Sequence, residues 1–328
     1  MKRFIVTGAT GHIGVFVIQA LIKNNENVTC LVLPRDNSDY LKSLGCQIIE
    51  GDVRNKELLN NLIEIDDVVI HLAGIISISK KNENLVYDVN YQGTKNIADA
   101  CMKAGARLIY TSSVHVLKAL KQGKINEEVG FNIKSHRGPY EESKSLATNY
   151  VFECFKKGLK GLVLYPSAII GPQDTFVGEV SNALIMLYKK KMPAYIKGGY
   201  SFVDVRDVAN GIISAAYSEI NAKGYILSNE YISIKNLMKL VYTHYGYKHM
   251  PPYCPLFLVY IGLPFIALWA KIRNKTPIFT RIMLKTVLSN GDFDNSNAKK
   301  DLQFKVRPLE ESIVDSIEWL KDEHKELF

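Results

Sequence analysis

The chain has 328 residues, 47% of them hydrophobic, enough for one large domain or two interleaved ones. Its five cysteines (Cys30, Cys46, Cys101, Cys154 and Cys254) are scattered with no Cys-x-x-Cys pair. That excludes a disulfide framework and favours buried small hydrophobes in a reducing compartment; with seven histidines and no His-Glu-x-x-His, no metal site is expected. The formal net charge of +8 is read as a solvated basic surface spread along the chain, suited to an anionic cofactor, substrate or lipid; no nucleic-acid motif accompanies it, and no nucleic-acid partner is expected.

Arg3–Thr7 is a short apolar run that ends in glycine, too brief for a signal peptide, so a cytoplasmic location is expected. Ile13–Lys23 has apolar residues at helical spacing. Strands are predicted at Val28–Leu33, Gln47–Glu50 and Val68–Leu72, a long helix at Leu85–Ala104, and a strand at Leu108–Thr111. A helix at Tyr140–Lys157 and a strand at Leu162–Tyr165 follow. Alternating strands and helices imply an α/β fold, a Rossmann-type doubly wound parallel sheet. After Gly171-Pro172 the alternation decays: Phe202–Val205 is a strand, Val208 to Tyr217 a helix, and 225–290 a helical insertion. The expected division is a dinucleotide-binding domain over 1–171, completed by about 201–221 and part of 291–328. A smaller, interleaved and mainly C-terminal substrate domain takes about 172–200 and 222–290.

Met250 to Ala270 carries no charge, but prolines at 251, 252, 255 and 264 and Gly262 interrupt it, and it is short for a membrane span. It is read as a buried helix over the substrate pocket. The alternative is a membrane-surface contact through 250–275, peripheral and helped by Lys271, Arg273 and Lys275.

Gly8, Gly11 and Gly14 stand where the first strand becomes a helix, spaced Gly-x-x-Gly-x-x-Gly. Gly8 suits the tight turn, Gly11 the approach of backbone to a pyrophosphate, and Gly14 close helix packing, with helix N–H groups facing the phosphates. The second strand has no acid at its tip, Val32-Leu33. Arg35 is placed to meet a 2′-phosphate, although Asp36 is near enough for the ribose; NADP is expected, with NAD as the alternative. Asp52 is placed to accept from the adenine amino group or to cap the next helix. His71 is read as structural, and the small residues Ala73 and Gly74 leave room for the nicotinamide ribose.

Tyr140 and Lys144 lie four residues apart, on one helical face, downstream of Ser113. A carbonyl that accepts hydride needs a proton, which Tyr140 can give. The ammonium is expected to lower the phenol's pKa, and Ser113 to hold the substrate oxygen. The alternative for Tyr140 and Lys144 is an ordinary exposed pair.

With these motifs the chain resembles the short-chain dehydrogenase/reductase superfamily in its extended form, also called the NAD-dependent epimerase/dehydratase superfamily. The likeness is to dihydroflavonol-reductase-like and 3β-hydroxysteroid-dehydrogenase-like members. It rests on Thr7–Gly14, Gly51-Asp52, His71–Gly74, Val89–Thr94, Tyr110–Ser113, Pro139–Lys144, Tyr165–Ser167, Phe202–Val208, Asp294–Leu302 and Leu309–Glu311. The resemblance implies that Ser113, Tyr140 and Lys144 are catalytic and that Asn90 supports Lys144 through water or backbone. It also implies that Pro166 and Ser167 lie beside the nicotinamide. The expected cofactor contacts are then Gly8, Thr10, Gly11, His12, Ile13 and Gly14 at the turn, and Arg35, Asp52 and Val53 at the adenosine end. Leu72, Ala73, Gly74, Thr111, Tyr140, Lys144, Pro166 and Ser167 complete them. The expected activity is an oxidoreductase exchanging hydride between NADP(H) or NAD(H) and a ketone or secondary alcohol of apolar character, with a homodimer as the expected assembly. A sugar-nucleotide epimerase and a non-catalytic dinucleotide sensor are the alternatives. Val114-His115 follow Ser113 where sugar-nucleotide dehydratases carry Asp-Glu, which argues against dehydration.

Overall fold

In the computed structural model, residues 2–76, 82–133, 138–272 and 281–328 are described. The first half alternates β1 (Arg3–Thr7), α1 (His12–Lys23), β2 (Asn27–Val32), α2 (Asp39–Ser43), β3 (Gln47–Glu50), α3 (Lys56–Leu62) and β4 (Val68–His71). Then come α4 (Glu83–Tyr87), a π-helical turn over Asp88–Gly93, α5 (Thr94–Ala104), β5 (Arg107–Thr111), α6 (Pro139–Lys156) and β6 (Lys160–Pro166). The second half adds β7 (Ala168–Ile170), α7 (Glu179–Tyr188), β8 (Gly199–Asp204), α8 (Val205–Tyr217), β9 (Lys223–Leu227), β10 (Tyr231–Ser233) and α9 (Ile234–His244). It ends with α10 (Leu256–Ile272), α11 (Arg281–Leu288), α12 (Ser296–Leu302) and α13 (Leu309–Glu323).

Seven strands form one sheet in the order β3-β2-β1-β4-β5-β6-β9, and every neighbouring pair is parallel. Apart from edge strand β3, the strands are largely buried on both faces, which explains their near-continuous apolar runs. Alternate residues serve opposite layers. Ile5, Val69, Leu108 and Val163 pack toward Leu59 of α3, Ile97 of α5 and Val151 of α6. Phe4, Val6, Ile70 and Leu162 pack toward Val17 and Ile18 of α1, Ile212 of α8 and Leu302 of α12. Strand order reverses between β1 and β4, so a crevice opens at the carboxyl ends of those two strands. In a doubly wound sheet that is where a dinucleotide lies.

Three differences from the sequence reading stand out. The long helix over 85–104 is broken by the π-helical turn at Asp88–Gly93. β9, expected inside the helical insertion, is the seventh strand of the large sheet, paired with β6 from Leu162↔Lys223 to Pro166↔Leu227. β8, expected to complete the nucleotide-binding half, instead centres a separate three-stranded sheet, β10-β8-β7. Short strands such as Lys-Gly-Tyr-Ile-Leu carry too few residues to show a period of two. Four of the five cysteines are buried, as the sequence suggested, whereas Cys254 is half-buried.

α10 departs from the reading of a buried helix. Among its described side chains Leu263 is buried, but Phe257, Leu258, Tyr260, Ile261 and Phe265 are exposed. Arg273 and Lys275, invoked for a membrane contact, lie outside the described residues.

Candidate active site

The glycine turn is fixed by contact as well as by backbone conformation. Gly8 has φ +70°, and a Cβ there would stand 2.7 Å from the Ala73 nitrogen. A Cβ on Gly14 would stand 2.3 Å from the Gly8 carbonyl oxygen, so α1 is seated directly on the turn. Gly11 differs: its Cβ would meet only the Gly8 carbonyl oxygen, at 3.3 Å, leaving its outer side open. Gly11 also begins α1 with no side-chain cap and no acid in the first turn. The Gly11 N–H is used within the turn, donating to the Gly8 carbonyl at 3.1 Å, and the N–H groups of His12, Ile13 and Gly14 form the anion-binding end of the helix. His12 ties this end to the loop after β7 through Nε2 and the Pro172 carbonyl oxygen, 2.8 Å apart. Thr10 donates its hydroxyl to Asp36 Oδ2 at 2.9 Å. Asp36 is thus held against the turn, while its neighbour Arg35 is exposed.

Across the crevice, the end of β4 is held by a chain of directed hydrogen bonds. Thr94 Oγ1 donates to the Asn90 carbonyl at 2.6 Å, so it accepts from His71 Nε2 at 2.9 Å. That leaves His71 Nδ1 to accept from Thr7 Oγ1 at 2.7 Å, and Thr7 in turn accepts from the Ala73 N–H at 3.3 Å. His71 is completely buried, and burial, with the Lys144 charge nearby, depresses its pKa to about 3. The neutral imidazole is a structural link, in keeping with the sequence reading. Asn90 sits in the π-helical turn and grips the backbone of Ile75 from both sides: its Oδ1 accepts from Ile75 N at 2.7 Å and its Nδ2 donates to Ile75 O at 3.0 Å. The same amide nitrogen reaches Ser143 Oγ at 3.2 Å. π-turns recur where a side chain must be re-aimed. Here one sends Asn90 under the Leu72–Ile75 loop, and a Cβ on Gly74 would approach Asn90 Oδ1 to 3.2 Å and Lys144 Nζ to 3.3 Å.

Ser113, Tyr140, Lys144 and Asn90 are brought together. α6 opens after Gly138, at φ +120°, with Pro139 in its first turn, which places Tyr140 at the mouth and Lys144 one turn deeper. Lys144 is buried and donates to the Thr111 carbonyl at 3.0 Å, with the Tyr110 ring 4.9 Å away. Burial lowers the Lys144 pKa to about 8. Tyr140 runs against expectation: burial pushes its phenol above the ordinary value, and the opposing influence is a hydrogen bond with Ser113, not the ammonium. The protonated phenol is therefore the resting form. Beyond Ser113, the ring of His115 stacks on Tyr200 with centroids 5.9 Å apart, and Val114, Leu117, Ile125 and Phe293 line the adjoining cavity.

The outlying residues are more mixed. Asp52 does not cap α3; Asn55 does, its Oδ1 accepting from Leu58 N at 3.0 Å. The Asp52 carboxylate is instead held by Arg54, with Nη2 to Oδ2 at 2.7 Å, and that hydrogen bonding lowers its pKa. Val53 is buried against Gly93. Asn96, which the sequence reading passed over, fixes this loop by donating to the carbonyls of Val53 and Arg54 at 3.2 and 3.1 Å. Thr94 was missed as well, although it closes the Val89–Thr94 motif. Pro166 ends β6, and Ser167 follows with its hydroxyl buried.

The residues present fit a dinucleotide. The hydroxyls of Thr111 and Ser167 are buried without a partner among the described residues, and the glycine turn is open over Gly11. A buried orphan hydroxyl is costly unless a ligand completes it.

Fold and site together define a short-chain dehydrogenase/reductase of the extended type, an NAD(P)-dependent oxidoreductase. The chain belongs to the 3-beta hydroxysteroid dehydrogenase/isomerase family, whose model matches residues 5–244. It is 28% identical to the 3 beta-hydroxysteroid dehydrogenase type 7 of Rattus norvegicus, over 97% of this chain and 95% of that one. It is 24% identical to sterol demethylase protein B of Methylococcus capsulatus, over 97% and 98% of the two chains. Among solved structures, gox2253 superposes with a TM-score of 0.84 at 25% identity, covering 98% of each chain.

Proposed function

We propose that the protein exchanges hydride between a nicotinamide dinucleotide and an apolar ketone or secondary alcohol, with Tyr140 as general acid and base. The observation that carries this reading is buried Lys144, anchored on the Thr111 carbonyl at 3.0 Å and meeting Asn90 at Gly74, one helical turn behind Tyr140 and below Ser113 just past the end of β5. When bound, the dinucleotide supplies or takes up the hydride at the substrate carbon. In the reductive direction Ser113 Oγ hydrogen-bonds the substrate oxygen, and Tyr140 delivers its proton there as negative charge develops. The protonated resting phenol suits that step. Lys144 keeps a positive charge beneath the phenol through its anchor on Thr111, and Asn90 holds the loop on which the nicotinamide ribose would lie. In oxidation the same proton returns to Tyr140.

Arg35 and the missing acid at Val32-Leu33 supported NADP. Asp36, tethered to the glycine turn by Thr10, supports NAD more strongly, because a carboxylate there accepts from a ribose hydroxyl and repels a 2′-phosphate. The apolar substrate is supported by the sterol and steroid names of two relatives.

The test is Tyr140→Phe, assayed with NADH and NADPH on a panel of polycyclic secondary alcohols and ketones, with UDP-sugars alongside. Turnover is expected on the polycyclic set and to fall about 10²-fold or more in the variant, dinucleotide affinity being kept. Turnover of UDP-sugars alone would overturn the substrate class, and an unimpaired variant would remove Tyr140 from the chemistry.

A further inference from the structure

Residues 231–291 contain eight lysines and arginines and no aspartate or glutamate, while the rest of the chain carries 33 residues of each sign. The whole net charge of +8 therefore belongs to this one stretch and is not spread along the chain, as the sequence reading held. The same stretch contains α10, uncharged from Leu256 to Ala270 and apolar on every side. A helix that is apolar all round belongs either in a core or against lipid, yet α10 is only half covered. Phe257 is 64% exposed, Ile261 60% and Phe265 69%, with Leu258 and Tyr260 about half exposed. At 100° per residue these five share one face, and buried Leu263 lies on the other.

One basic group, Lys235, stands near the start of α10. The start of α10 is tied to Tyr195 by two backbone hydrogen bonds, Tyr195 N to Pro252 O at 3.0 Å and Cys254 N to Tyr195 O at 2.8 Å. The Lys235 ammonium stands 6.0 Å from the centre of that same tyrosine's ring. Lys235, Lys239, Lys248 and Lys285 are all exposed. In the sequence Lys271, Arg273, Lys275 and Arg281 follow the apolar run.

We propose that the exposed face of α10 docks in the plane of an anionic lipid bilayer, with the exposed lysines of this stretch, Lys235, Lys239, Lys248 and Lys285, on the headgroups. Apolar burial and attraction to anionic lipid are the two contributions that hold an interfacial helix. No helix among the described residues is long and apolar enough to cross a membrane, so the contact lies along the surface. A second copy of the chain suits the face poorly, since a two-fold contact would set two regions of +8 against each other.

Sedimentation of the full chain with vesicles tests this. Phosphatidylcholine vesicles are compared with vesicles of roughly one-third phosphatidylserine at roughly 0.1 M salt. The protein is expected to pellet with the anionic vesicles and to stay in solution with the neutral ones. Phe257→Asp with Phe265→Asp should lower partition by at least about tenfold. Each of Lys235→Gln, Lys239→Gln and Lys248→Gln should lower it by about fivefold. An unchanged thermal shift on adding NADH shows that each variant is folded, and the lysine variants test the idea without touching α10. Wild-type protein left in solution with anionic vesicles overturns the proposal. So does equal binding to both vesicle types that is insensitive to the lysine changes. A dimer that Phe257→Asp dissociates, with no vesicle binding, assigns the face to a second copy instead.

Discussion

Lys144 is held where its charge is expensive: buried, donating to one carbonyl, and with its pKa lowered to about 8. Tyr140 moves the other way and stays protonated through that range. A basic limb in the pH profile of reductive kcat/KM near 8 therefore belongs to Lys144. The rate is expected to fall about tenfold per pH unit above it, as the ammonium is lost. Lys144→Met should abolish that limb together with most of the rate, and a limb that survives in the variant would assign it elsewhere. A second prediction concerns Asp36. Calorimetry should find NADH bound about tenfold more tightly than NADPH, the effect of one nearby like charge on a 2′-phosphate. Asp36→Asn should close that gap, and Arg35→Ala should weaken NADPH only. Tighter NADPH binding by the unaltered protein would return the choice to Arg35.

The π-helical turn between α4 and α5 has a similar logic one level up. It places Asn90 under the loop after β4 and presents the Asn90 carbonyl to Thr94, which also receives His71. Thr94→Val keeps the shape and removes the hydroxyl, stranding a buried N–H and a buried carbonyl. Stability is expected to fall by about 2–6 kcal/mol, at 1–3 kcal/mol for each unsatisfied group, and dinucleotide affinity should fall with it. Loss of stability with affinity intact would separate the turn from the cofactor platform. This element also marks a limit of sequence reading. An apolar pattern over 85–104 shows a helix, but one extra residue in a turn leaves that pattern nearly unchanged, so the break was invisible. The glycine turn was legible because only glycine satisfies φ +70° at position 8 and the contact at position 14. The Ser-Tyr-Lys set was legible because its spacing is helical. Asn96 was not, since a buried asparagine that braces a loop across 42 or 43 residues has no local signature.

The second half is held together by a largely buried ionic cluster. Asp204 begins α8, accepting from the Arg206 backbone at 2.8 Å, and pairs with the Arg206 guanidinium at 2.7 Å; Arg206 also reaches Asp315 of α13 at 2.7 Å. Arg307 joins Asp207 at 3.0 Å. The Phe202–Val208 motif, read as a family signature, is thus a clamp between β8, α8 and α13. Arg206→Ala leaves the fully buried Asp204 carboxylate without its main partner. It should destabilise the protein by about 3 kcal/mol or more in urea unfolding, with little effect on the KM of the reaction. An effect below about 1 kcal/mol would mean that Arg307, 3.6 Å from Asp204, already suffices. At this scale the parallel, doubly wound sheet was legible from the alternation of patterns. The small sheet and the placement of β9 were not, because they depend on pairings between distant segments.

His71 has a thermodynamic consequence beyond its place in the crevice. Its folded pKa of about 3 lies below the ordinary 6.5, so between those values the unfolded chain holds a proton that the folded one refuses. Unfolding then takes up about one proton at this residue, and acid draws the equilibrium toward the open chain. The stability due to neutral His71 is whole above pH 6.5 and is lost by about 1.4 kcal/mol per pH unit as pH falls toward 3. The hydrogen-bond chain from Ala73 to Asn90 thereby makes the dinucleotide crevice an acid-labile seam. Urea titrations at a series of pH values should show a slope in that window that His71→Gln flattens.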